Sequence, residues 1–158
     1  MRFTALFGLP LVYLLATGCG NKNGTPSTAS TPSNTQGASA VAAVSKYDSG
    51  PRAAEEPVDA ARAKTGQGLF STKGCTACHA FGLKMSGPDM AGVTRRRTSA
   101  WMAEQILHPE VMTKQDPIAH QLFATHALQM PNQGLTQDEA RSVIEYLKAH
   151  DRADGAAH

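Results

Sequence analysis

The stretch KGCTACHAF, residues 73–81, brings two thiols and an imidazole close together: Cys75, Cys78 and His79. On a helix Cys75 and Cys78 are i and i+3, and Cys75 and His79 are i and i+4, so the three side chains project toward one side. Such a set could hold a metal, shuttle a disulfide, or carry a group attached covalently through both sulfurs. Each chemistry needs different surroundings. A structural zinc site wants four ligands, usually with a second Cys/His pair at short spacing, and no second pair containing cysteine exists. A thioredoxin-like dithiol wants a βαβ setting.

The elements that must position the trio read as helical. Alternating β-branched runs and hairpin turns between them are missing. The clearest helix is the last, LTQDEARSVIEYLKAH: Thr136 and Glu139 form a capping box, and Ala140, Val143, Ile144 and Leu147 recur at helical spacing. A second helix spans about 99–108 and is ended by Pro109. A third begins at DPIAHQLFATHA, with Asp116 as cap, Pro117 at the first helical position, and Ile118, Leu122 and Phe123 facing inward. The first, DAARAKTGQGLF, is interrupted by Gly66 and Gly68, which weaken a helix unless something packs close to its backbone.

The chain has 158 residues and a net charge of +2, enough for one compact domain with extensions. Lys and Arg are spread thinly apart from Arg95, Arg96 and Arg97, which excludes a nucleic-acid surface. Residues 1–18 resemble a secretory signal peptide: Met1-Arg2 opens a short basic region, and an apolar run follows that is too short, with Gly8 and Pro10 inside it, to span a membrane. The junction LLATGC is similar to the lipobox of bacterial lipoproteins, which would make Cys19 the lipidated N-terminus and not a partner of the pair. Residues 19–57 then read as a lipidated Cys19 plus a flexible tether, rich in Gly, Ser, Thr, Asn, Ala and Pro, with an r.m.s. span on the order of 35 Å. The folded part is expected over 58–152, with 153–158 as a disordered tail.

A helical domain of under about 100 residues with few aliphatic side chains has a small core, and a large flat cofactor would fill it. Cys-x-x-Cys-His is the attachment signature for a c-type haem: the thiols add to the two vinyl groups and the imidazole binds the iron. Residues 62–150 resemble a class I c-type cytochrome, a small all-α cytochrome c fold of about four helices wrapped around one covalently attached haem c. The resemblance implies that Gly66 and Phe70 of TGQGLFSTKGCTACH pack against Tyr146 and Leu147 of IEYLKAH. It also implies, from SGPDMAGV, that the carbonyl of Pro88 accepts a hydrogen bond from His79. Met90 stands where the family more often has leucine.

Candidates for the sixth iron ligand are Met85, Met90, Met102, Met112 and Met130, with His108, His120 and His126. LQMPNQGLTQDEA resembles the family's ligand loop, which singles out Met130; His126 is the main alternative. His120 is expected to face solvent or the propionates. Arg95, with Arg96 and Arg97 as alternatives, is a candidate to neutralise a haem propionate, or the run forms part of a docking patch; Trp101, in TSAWMAEQILHP, is a residue whose indole N–H serves a propionate or which simply fills core.

A thioether ligand favours ferrous iron and raises the potential. The resemblance therefore implies a one-electron carrier and not an enzyme: a monomeric, membrane-anchored protein on the periplasmic side. It would pass electrons from a quinol-oxidising complex to a terminal reductase or oxidase. The style of HPEVMTKQDP is similar to small cytochromes associated with nitrous oxide reductase systems, and Gly20 after Cys19 leans toward the outer membrane. A fixed electron-transfer subunit, or a haem sensor or enzyme with a labile Met130, are the alternatives.

Overall fold

The computed structural model describes residues 44–156. The signal peptide, Cys19 and most of the expected tether lie outside them. Among the described residues there are six α-helices and no strand: α1 Ala60–Thr72, α2 Val93–Arg96, α3 Ser99–Leu107, α4 Pro109–Gln115, α5 Pro117–His126 and α6 Gln137–Ala156, with 3-10 turns at Ala53–Glu55 and Cys75–Ala77.

Local chemistry sets most of the boundaries. The Asp59 carboxylate accepts the Arg62 N–H at 3.0 Å and starts α1; Thr98 does the same for α3 through Trp101 N–H. The capping box at α6 closes both ways, Glu139 N–H to Thr136 Oγ1 at 3.2 Å and Thr136 N–H to Glu139 Oε2 at 2.8 Å. Pro109 ends α3 as expected but also opens α4, a helix the sequence pattern did not separate. Lacking an N–H and fixed in φ, proline suits the first position of the next helix as well as it breaks the previous one. Helix α6 runs to Ala156, into the segment expected as a disordered tail, and His150 Nδ1 lies 3.3 Å from the Asp154 carboxylate one turn on.

Helix α1 crosses α6 at Gly66. A Cβ there would meet the Ser142 carbonyl and stand 2.9 Å from Val143 N, so the backbones touch where no side chain fits. The partners of Gly66 are thus Ser142 and Val143, about one helical turn before the expected Tyr146 and Leu147. Phe70, one turn further along α1, is what meets Tyr146, with ring centroids 5.5 Å apart. Val143, Ile144 and Leu147 are buried with Trp101, Met102 and Met112; full burial of each aliphatic side chain is worth about 1.5–3 kcal/mol. Buried polar groups fix the remaining corners. The Asp151 carboxylate accepts from Gly92 N–H (2.6 Å), Thr94 N–H (2.9 Å) and the Thr94 hydroxyl (2.6 Å), tying α6 to the start of α2.

Packing begins well before residue 58. Residues 44–57 form a strap: Ser45 and Ala53 are buried, Tyr47 O accepts the Thr98 hydroxyl at 2.9 Å, and Ala53 N–H donates to Arg97 O at 3.0 Å. Lys148 Nζ reaches Pro57 O at 2.7 Å and Glu145 at 2.8 Å. The strap was invisible to a compositional reading because it is held by hydrogen bonds and ion pairs, not by an apolar stripe.

Asp116 lies under this strap, 2% exposed. Its Oδ1 accepts Ile118 N–H, Ala119 N–H and the Trp101 indole N–H, each at 3.0 Å. Burial alone would raise its carboxyl, but hydrogen bonds from Ser45, Ala119, Trp101 and Ile118 outweigh that and hold it below the ordinary aspartate value. A depressed carboxyl stabilises the fold above its unfolded-state value, about pH 4, and the benefit is lost as pH falls through the folded value. Asp116→Asn should therefore cost about 1–3 kcal/mol at pH 7. Paired melting curves should show the gap to wild type narrowing at pH 3; a gap that stays constant or widens would rule out this carboxylate as an acid-sensitive contributor.

Candidate haem site

The Cys75–Ala77 turn, the 79–92 loop and helices α3, α5 and α6 enclose a cavity of about 200 Å³. Cys75, Cys78, His79, Pro88, Met130 and Trp101 all line it, as does His126. The pair begins a 3-10 turn after Gly74, whose left-handed φ of 81° suits glycine. His79 N–H bonds back to Cys75 O at 3.0 Å, holding the imidazole beside the sulfurs. Burial pushes the Cys75 thiol up, opposed by a backbone hydrogen bond. A thiol kept protonated is a poor metal thiolate and a poor disulfide-exchange nucleophile at neutral pH.

His79 Nδ1 stands 2.9 Å from Pro88 O. With Nδ1 donating to that carbonyl, Nε2 is left free and its basicity rises, which suits it to bind a metal. Gly87, the glycine of SGPDMAGV, makes this possible: a Cβ there would lie 2.7 Å from His79 Cε1 and 3.0 Å from Cys78 O, a space already bounded by the Gly87 N–H to Cys78 O bond of 2.9 Å. Gly87→Ala is expected to displace the ring, break the Pro88 bond and weaken His79 as a ligand by roughly ten- to hundredfold. A higher midpoint potential and an altered ferric spectrum would show it; wild-type values in both would refute it.

Met130 sits on the loop after α5, which stops at Ala127 in the left-handed conformation (φ 52°), a position with no glycine or asparagine to announce it. Asn132 Nδ2 donates to Leu107 O at 2.9 Å and ties the loop to α3. Gln105 Nε2 approaches Met130 Sδ at 3.8 Å. His126 turns its Nδ1 to Ser86 O at 3.2 Å. His120 is exposed, with Nδ1 3.1 Å from Thr113 O.

The cationic corner differs from expectation. Arg96 and Arg97 line the cavity and Arg95 does not; Arg95 Nη1 donates to Asp151 O at 3.0 Å. Successive residues on α2 point about 100° apart, so the run cannot face one way. Arg97 lies over the Trp101 ring, 5.1 Å from its centroid. The Trp101 side chain borders the cavity, but its indole N–H is given to Asp116. Phe123, expected inward, borders the cavity.

Two thiols on one turn, a pinned imidazole and a mostly apolar enclosure with arginines at one corner suit a flat, dianionic, covalently attached macrocycle. Residues 63–151 match the family described as Cytochrome c. The chain belongs to the cytochrome c family. It is 28% identical over 87 residues to cytochrome c-551 of Azotobacter vinelandii, covering 55% of this chain and 99% of that one. It is 33% identical to the solved cytochrome c of Rhodothermus marinus, with a TM-score of 0.59 over 61% of this chain and 83% of that chain. An engineered Rhodothermus marinus cytochrome c bound to a carbene intermediate is 34% identical, with a TM-score of 0.56 and the same coverages. As a class I c-type cytochrome this chain is an electron-transfer haem protein, and it carries haem c through Cys75 and Cys78.

Proposed function

We propose that this cytochrome c is a one-electron carrier with His79 and Met130 as axial ligands. Lipidated at Cys19 and tethered on the periplasmic side of a bacterial membrane, with the outer one favoured, it ferries electrons from a quinol-oxidising complex to a terminal reductase or oxidase. The observation that supports the reading best is that one cavity holds the His79 imidazole, pinned by Pro88, together with the Met130 sulfur. The haem supplies a one-electron couple. Cys75 and Cys78 would fix it to the chain, His79 and Met130 would both ligate its iron and so leave no site for a substrate, and the apolar walls would keep water out. A thioether ligand places the couple high, as an acceptor-feeding shuttle requires. Net charge of only +2 gives weak long-range steering, so the tether, not charge, would raise encounter frequency.

A second reading, in which Met130 leaves and the iron binds a small ligand, draws on the buried and unpartnered Oε1 of Gln105 beside that sulfur. Spectropotentiometric titration of the haem-loaded protein, with carbon monoxide added to the reduced form, separates the two. A clearly positive midpoint without carbon monoxide binding supports the carrier. A midpoint below zero, or ready carbon monoxide binding, would overturn it.

A further inference from the structure

The strap, residues 44–57, precedes the segment that matches the family, residues 63–151, yet it is fastened to the cationic corner of the haem cavity. Asp48 is the fastening. Its side chain is 8% exposed, Oδ1 accepts Thr98 N–H at 2.8 Å, and Oδ2 receives two guanidinium groups, Arg52 at 3.0 Å and Arg97 at 3.4 Å. These two cations are not equally secured. Arg52 also donates to the carbonyls of Asp48 (2.7 Å), Gly50 (3.1 Å) and Arg96 (2.9 Å). Arg97 has a single carbonyl, Arg96 O at 2.9 Å, and the face of Trp101. Of the pair, only Arg97 lines the cavity.

We propose that Asp48 is a positioning residue for Arg97, and that through Arg97 the strap sets the reduction potential of the haem. A cation held at the cavity wall favours the reduced, less positive state of whatever redox group lies beside it, and so raises the potential. Holding that cation there has a cost. Burial pulls the Arg97 guanidinium below its usual value and the like charges of Arg96 and Arg52 add to this, while Asp48 opposes them. Removing the Asp48 charge takes away the carboxylate that Arg52 and Arg97 share and leaves Asp116 as the opposing charge felt by Arg97. Arg52, anchored by three carbonyls, stays; Arg97 leaves Trp101 for water, and the charge at the cavity goes with it. The inference needs only the haem in its cavity. It stands or falls independently of Met130, the lipid anchor and the carrier role.

The test is a spectropotentiometric titration of the full-length, haem-loaded protein at low ionic strength, with melting curves in parallel. Asp48→Asn keeps an acceptor for Thr98 N–H and removes only the charge. Asp48→Asn and Arg97→Gln should lower the midpoint in the same direction, the double variant should fall no further than Arg97→Gln alone, and Asp48→Glu should restore the wild-type value. Arg52→Gln added to Asp48→Asn should recover part of the fall, because the competing cation is gone. A midpoint that rises with Asp48→Asn, whether Arg97 is present or replaced by Gln, would mean that the carboxylate acts on the haem directly and positions nothing. A lowered melting temperature with an unmoved midpoint would reduce the strap to a structural clasp. Either result overturns the proposal.

Discussion

Met130→Ala is expected to lower the midpoint potential of the haem-loaded protein by a substantial fraction of the ~0.8 V over which axial ligation sets haem potentials. The thioether is a weak donor that stabilises the reduced iron more than the oxidised, so its loss favours the ferric form whether water or another side chain takes its place. The structure narrows the replacements. His126 lines the same cavity, but its Nδ1 is directed to Ser86 O; Met90 and Met102 line it too. If Met130 is the ligand, Met130→Ala lowers the potential and opens the reduced form to carbon monoxide, while His126→Ala changes neither. If His126 is the ligand, the roles of the two variants exchange and the wild-type midpoint is already low. Gln105 adds a finer expectation. Its amide N–H points at the Met130 sulfur at 3.8 Å, which draws density from an already weak donor. Gln105→Leu should lower the midpoint by much less than Met130→Ala, and redox titration of the three variants ranks the contributions.

How much of this site could be read from the sequence depends on whether a residue's role is local. Cys75, Cys78 and His79 declare themselves because their spacing alone creates the geometry. Thr136 with Glu139, and Asp116 with Pro117, declare helix starts for the same reason: the partners are within one turn. Roles that depend on a distant partner stayed hidden. Asp116 was legible as a cap but not as the acceptor for Trp101 Nε1, 15 residues away. Asp48 sits in a stretch whose composition reads as tether, and its partners Arg97 and Thr98 lie about 50 residues on. Which members of the arginine run border the cavity was not legible, because α2 is a single turn, where neighbouring side chains diverge and no apolar stripe fixes its phase. Ala127, left-handed without being glycine, gave no sign of where α5 stops.

The two glycines of α1 look alike in the sequence and should behave oppositely when replaced. Helix propensity predicts that either alanine substitution stabilises, by about 0.5–1 kcal/mol. For Gly68 nothing stands within 4 Å of the added Cβ, so propensity decides and Gly68→Ala should raise the melting temperature. For Gly66 the added Cβ falls on the Ser142 carbonyl, with Val143 N at 2.9 Å. Those obstacles are backbone, and no side chain can rotate away. The helices must separate, and α1 against α6 is the contact that buries Phe70, Val143 and Leu147. Overpacking of this kind costs about 1–3 kcal/mol where the surroundings can yield and more where they cannot, against a total stability of about 5–15 kcal/mol. Gly66→Ala should therefore lose ~3 kcal/mol or more and melt well below the wild type. Chemical denaturation of both variants under identical haem loading is decisive. If Gly66→Ala matches Gly68→Ala, the helices do not cross at Gly66 as closely as the structure places them, and the resemblance of this crossing to the family's would rest on sequence alone.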